Sequence, residues 1–336
     1  MADNAQTPAA ALSDSVSPAR PWLRRLKRFI GTRELPLLAL ILLVVVIMAN
    51  RNPNFLTIAN FRAMAVGFTP TAVIAVGMVI LLVSGGFDLS VGAVLALSGT
   101  LVARFVLDGV EQPIAVPAVL VIGACIGFVN GFLVTKVKIN PLVATLGTLS
   151  IARGIAQVMT EGISISGLPA SFGRVGGEQL ANIPYMVLIM LVIVVIGDLA
   201  LRHTRFLRQA YYVGSNENAA RLSGIAVDRF RILAYMLTAA LAALAGVLLA
   251  SRLMAGTPTA AQGLELQVLA GAVIGGASLT GGEGTVLGAF LGIVFIGIIS
   301  NVMTMEAVSI FWQQAVTGAI LIAAVAFDML VRRRRV

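Results

Sequence analysis

The chain has 336 residues, of which 58% are hydrophobic and only 12% charged, with a mean hydropathy of +0.96 and a formal net charge of +9. A soluble domain carries about a quarter charged residues, so this chain cannot cover a soluble surface and reads as a polytopic membrane protein. Its basic residues lie between apolar runs and at the tails, without interleaved aromatics or a recognisable module, which argues against nucleic-acid binding. One cysteine (Cys125) and one histidine (His203) leave no internal disulfide and no zinc site of the usual ligand type.

In chain order, residues 1–34 are rich in Ala, Ser, Asp and Pro and then basic, and are expected to be a disordered cytoplasmic tail. They do not read as a signal peptide, because the basic cluster comes late and the apolar run after Pro36 lacks a small-residue cleavage site. A spanning helix needs about 20 largely apolar residues. Ten segments qualify: 35–50, 64–83, 89–107, 113–135, 140–160, 184–202, 232–251, 265–280, 285–303 and 311–331. The third, eighth and ninth are short or Gly-rich and are expected to be tilted, broken or partly re-entrant. Residues 332–336 form a second basic tail. The fold class is therefore an all-α membrane bundle of about ten helices, occupying 35–331.

Lys and Arg concentrate on the cytoplasmic side of membrane proteins. With the N-terminus inside, 18 of the 24 fall in inside segments; the remaining six are Arg51, Arg62, Arg104, Arg153, Arg174 and Arg252. An even number of spans with both ends in the cytoplasm fits this split.

The turns between spans carry the polar features. "SGGFD" places Gly85, Gly86 and Asp88 between the second and third spans. The glycines permit a reversal, and Asp88 is expected to cap the third helix. The alternative is that this turn lines an inner gate or contacts a partner. "AVIGGASLTGGEGTVLGAFLG" (Ala272–Gly292) repeats the pattern, with Gly281, Gly282 and Glu283 in its turn. Either an internal duplication or shared Gly-rich composition accounts for the likeness.

Within spans, 140–160 carries Thr145, Thr148, Ser150, Arg153 and Gln157. At 100° per residue Ser150, Arg153 and Gln157 share an arc of about 60°. A charged Arg facing lipid is costly, so that face should meet protein or water, as a solute pathway, a subunit interface, or a structural pairing of Arg153 with an acid or a carbonyl. Asn130, Gln262 and Gln267 are weaker pathway candidates. Outside, Arg174 and Arg252 could dock an acidic partner or serve as interfacial anchors.

The largest inside loop holds "YYVGSNENAARLSGIAVDRFR". Ser215 or Asn216 can cap a helix over Glu217–Ser223, Glu217 suits its positive end, and Gly224 can end it in a left-handed conformation. So short a helix needs a partner surface, either the membrane face or another protein.

Glu217, Ala219, Ala220 and Gly224 resemble the "EAA…G" loop of ABC importer permeases. "NPNFLTIANF" (Asn52–Phe61), "GGFDLSVGAVLALSG" (Gly85–Gly99), "VNGFLVTKVKINPLVATLGTLSIARG" (Val129–Gly154), "VGSNENAARLSGI" (Val213–Ile225) and "GGASLTGGEGTVLGA" (Gly275–Ala289) are similar, in order, to ribose-type sugar permeases. The resemblance spans about 35–331. It implies a multi-pass subunit of a bacterial inner membrane, pairing with a second permease subunit. A separate cytoplasmic ATPase would dock on Glu217, Ala219, Ala220, Arg221 and Gly224, and a periplasmic sugar-binding protein would deliver a monosaccharide such as ribose. No covalent chemistry and no cofactor on this chain are implied; ATP belongs to the partner. The chain indeed lacks a G-x-x-x-x-G-K-[ST] loop. The alternative is an ion-coupled secondary transporter, disfavoured because the acids sit near helix ends rather than mid-span; a membrane scaffold without transport is a third reading.

Overall fold

The structure is a computed structural model describing residues 34–333. The expectations for residues 1–33, and for 334–336 of the C-terminal tail, lie outside the described residues.

Ten apolar helices form where ten were expected. They are α1 (Glu34–Arg51), α2 (Ile58–Val83), α3 (Val91–Leu107), α4 (Gln112–Thr135), α5 (Pro141–Thr160), α7 (Tyr185–His203), α10 (Val227–Leu253), α11 (Leu264–Ile274), α12 (Val286–Met305) and α13 (Ile310–Arg333). Seven are long and apolar enough to cross a membrane. The three shorter apolar stretches are Val91–Leu107, Leu264–Ile274 and Phe311–Ala326. The third and eighth segments are thus short as expected. The ninth, α12, is a full-length helix, because its glycines pack against a neighbour instead of breaking it. Three further short helices, α6 (Arg174–Gly177), α8 (Gln209–Ser215) and α9 (Glu217–Leu222), lie in the loops, with a 3-10 turn at Ala170–Gly173. The loop between α5 and α7 also holds a two-stranded antiparallel ladder, β1 (Gln179–Leu180) with β2 (Ile183–Pro184).

Helix α2 is apolar all round and buried from Thr69 to Val83, as befits a helix at the centre of a bundle. It starts six residues before its expected boundary because Thr57 caps it, the Oγ1 accepting the Asn60 N–H at 3.3 Å. The other central helix, α10, packs against α2, α3 and α4. Its contact with α4 is set by Gly123, Gly127 and Gly131, one residue per turn on one face. A Cβ at these positions would meet Ala243 Cβ at 2.6 Å, Met236 Cα at 2.7 Å and Ile232 Cα at 2.8 Å. Helices buried in apolar surroundings gain little from the hydrophobic effect against each other, so close backbone approach along a small-residue stripe supplies the association.

The two Gly-Gly turns are built alike. Helix α2 ends with Gly86 N–H donating to Leu81 and Gly85, at φ +82°, donating to Leu82. Helix α11 ends with Ala277 donating to Ala272 and Gly276, at φ +91°, donating to Val273. Both are Schellman caps. In each a side-chain oxygen then accepts the N–H two residues on: Asp88 Oδ1 from Ser90 at 2.8 Å, and Ser278 Oγ from Thr280 at 3.1 Å. The second turn is longer before its next helix, which is where Gly281, Gly282 and Glu283 sit.

Candidate coupling face

The inside loop folds into two short helices rather than one. Helix α8 turns Ala210 and Val213 into the core, and α9 follows after Asn216. Of the two capping candidates, Asn216 is the cap: its Oδ1 accepts the Ala219 N–H at 3.0 Å. Gly224, at φ +82°, ends the helix, with Ile225 N–H donating to the Ala220 carbonyl at 3.0 Å. Ala220 is buried and Ala219 exposed. Leu222 stands 91% exposed, a large apolar side chain at the tip of a helix too short to be stable alone.

Three stretches remote in sequence, around Ser84, Lys136 and Gly282, meet beneath α9 together with its flanking segments. Arg231 Nη1 donates to Glu217 Oε2 at 2.7 Å, and its Nε and Nη2 donate to the Ser84 carbonyl at 3.1 Å. Arg221 donates to Glu217 at 2.9 Å and to Asp228 at 2.5 Å. Lys136, from the loop before α5, reaches Asp228 at 2.8 Å. Gly214 sits against the Val83 carbonyl, Gly282 N and the Gly281 backbone. Gly282 N–H donates to the Val83 carbonyl at 2.8 Å, and Tyr211 Oη to the Gly284 carbonyl at 2.8 Å. The structure therefore brings Glu217, Arg221, Gly85, Gly281 and Gly282 into one face. Burial raises the Glu217 carboxyl, but the Arg221 and Arg231 guanidiniums outweigh it and hold the group below the ordinary carboxylate range. Arg231 and Gly214 were not singled out from sequence. Nothing in their spacing marks them, since their partners lie at Glu217, Ser84 and Gly282.

Asp88 does not cap α3. The cap position is Ser90, and Asp88 lies upstream in the turn, itself fully buried. Its Oδ1 accepts from the Ser90 N–H and Oγ, and its Oδ2 from Asn130 Nδ2 at 3.3 Å. Asn130 Oδ1 in turn accepts from Thr148 Oγ1 at 2.5 Å. The dipeptide's turn geometry, not a helix end, satisfies the carboxylate. A buried polar chain thus runs from the α2–α3 turn through α4 to α5.

The other α5 candidates divide. Thr145 is buried and donates to the Pro141 carbonyl at 2.8 Å. Ser150 and Gln157 are exposed. Arg153 Nη1 donates to the Pro258 and Ala260 carbonyls at 2.8 and 2.7 Å, tying α5 to the loop before α11. At this opposite end of the bundle Arg174 and Arg252 lie on elements that pack together: α6 sits on the end of α10, with Gly176 N–H donating to Ser251 Oγ at 2.9 Å. Arg174 Nε is paired with Glu178 at 3.1 Å, whereas Arg252 has no ion pair among the described residues. Gln262 and Gln267 flank the start of α11 and line a cavity there.

Residues 60–325 match the family model described as the branched-chain amino acid transport system permease component. The chain is 39% identical over 295 residues to the ribose import permease protein RbsC of Bacillus subtilis, covering 87% of this chain and 91% of that one. It is 36% identical over 313 residues to RbsC of Escherichia coli K12, covering 92% and 95%. It is also 36% identical over 276 residues to the L-arabinose transport system permease protein AraH of Escherichia coli K12, covering 82% and 84%. No solved structure matches. With the family model covering most of the helical bundle and these relatives matched over nearly their whole length, the chain belongs to the transport-system permease component family.

Proposed function

We propose that this protein is the membrane permease subunit of a bacterial ABC importer for a monosaccharide, of the ribose and arabinose class. What carries the reading is the agreement between the relatives, matched over most of their length, and a short exposed helix held by ion pairs at one end of an apolar bundle. On this reading all ten apolar helices cross or enter the inner membrane with both termini in the cytoplasm. Two permease subunits enclose the pathway, and a separate ATPase seats on Leu222, Ala219 and the exposed tip of α9. Because Arg231 holds both Glu217 and the Ser84 carbonyl, movement of α9 pulls directly on the α2–α3 turn. The Asp88–Asn130–Thr148 chain extends that pull to α5, so the arrangement couples a cytoplasmic motion to a helix face carrying Ser150 and Gln157. A sugar-binding protein would meet the opposite end, where Arg252 offers a cation without an ion pair among the described residues.

The test is reconstitution with the partner ATPase and binding protein, measuring sugar uptake into vesicles. Uptake should require ATP; uptake driven by an ion gradient without the ATPase would instead favour a secondary transporter. Within that assay Glu217→Arg and Gly224→Asp should each reduce ATPase association and uptake by at least tenfold.

A further inference from the structure

At the end of the bundle opposite α9, helices α2, α11, α12 and α13 leave a cavity of about 560 Å³. It lies in the range of small-molecule sites. Its lining contains no charged residue. Four glutamines and one asparagine face it, together with threonine and serine hydroxyls and a wall of Met, Phe, Leu and Ile.

The amides are in two states. Asn301 is fixed by a reciprocal pair with Asn60, at 2.7 and 3.2 Å, and Gln313 donates to Thr304 Oγ1 at 3.2 Å. These form the frame. Gln262, Gln267 and Gln314 have side-chain amides with no hydrogen-bond partner among the described residues; all three border the cavity, Gln267 half-buried and Gln262 and Gln314 exposed at its open side. Thr71, buried on α2, adds a hydroxyl that is likewise without a partner among the described residues. An amide offers two donors and an acceptor in a plane. A sugar hydroxyl is itself both donor and acceptor, so several amides converging on one space complement adjacent hydroxyls. A charged solute would find no counter-charge in this lining.

We propose that this cavity is a neutral-polyol site lined by one permease subunit, with Gln267 and Gln314 as its principal contacts, receiving the sugar on its way along the pathway that the two subunits enclose. The proposal deepens the importer reading and rests on it for direction. It assigns the contact to α11 and α13, not to the Arg153 face of α5. It also makes the permease itself select against anionic sugars. Weak contacts through a few amides suit a transit site, because release must follow capture.

Two measurements test it. In the reconstituted importer, Gln267→Leu with Gln314→Leu should lower uptake of D-ribose or L-arabinose about tenfold while ATP hydrolysis stays within twofold of the parent. Separately, Gln314→Cys in a Cys125→Ala background should react with a membrane-impermeant maleimide, and millimolar D-ribose or L-arabinose should slow that reaction whereas ribose 5-phosphate should not. Parent-level uptake by the double variant, labelling that neither sugar slows, or equal protection by the phosphate would each overturn the site. If the parent importer moves no sugar, the importer reading fails by itself, and the labelling measurement still decides the cavity.

Discussion

Gly214 is pressed between the Val83 carbonyl and the backbone of Gly281 and Gly282. No side chain fits in that gap. Gly214→Ala should therefore destabilise the protein by roughly 1–3 kcal/mol through forced separation of the segments. Gly154→Ala, at a helical position with nothing within 4 Å, should be neutral or slightly stabilising. Thermal unfolding of the two variants in detergent checks the contrast; equal midpoints would mean that the three-glycine contact yields easily. Gly224 presents a different case. It has open space around it but φ at +82°, so its requirement is conformational and was visible in sequence as a glycine just past a short helix. The requirement at Gly214 is purely one of approach. Its neighbours come from two turns far away in the chain, and no local pattern could have announced it.

Helix α9 has six residues, one cap and one ion-paired carboxylate. A cap of this kind contributes about 1 kcal/mol, a large share of what holds so short an element. Asn216→Ala should raise amide hydrogen exchange over Glu217–Gly224 while leaving α2 and α10 unchanged; unaltered exchange there would show that tertiary contacts alone hold the helix. The folded-state pKa of Glu217 is lowered. Its pairing with Arg231 and Arg221 is therefore complete at neutral pH, and is lost only as the pH falls through and below the ordinary carboxylate range. The cap, the acid and the terminating glycine of α9 were all legible because they obey local rules. Its neighbour α8 was not, because its turn is stabilised by burying Ala210 and Val213 rather than by a pattern of its own. Asp88 shows the same division. Its position before an apolar run suggested a helix cap, but burial beside Asn130 made a tight turn and a polar chain the better way to satisfy its oxygens.

For the whole molecule, the segments expected on the cytoplasmic side meet around α9, while the α5–α7 loop and the loop before α11 meet at the other end, joined by the Ile165–Gly256 backbone pair. If that first end faces the cytoplasm, cysteines placed at Lys138 or Arg229 in a Cys125→Ala background should resist an impermeant thiol reagent in intact cells, and cysteines at Arg174 or Arg252 should react. The reverse pattern would invert the orientation. The sequence by itself determined that this is a helical membrane protein, where its apolar helices lie and which loop carries a short capped helix. Those follow from hydropathy, charge distribution and capping, which act over a few turns of chain. Only the tertiary structure decided that Arg231 links α9 to the α2–α3 turn, that Arg153 is tied to backbone carbonyls, and that uncharged amides line one cavity at the end opposite α9. Each of these depends on contacts between distant segments, and in a bundle whose helices are nearly all apolar, the rotation and approach of each helix are set by packing that no single segment encodes.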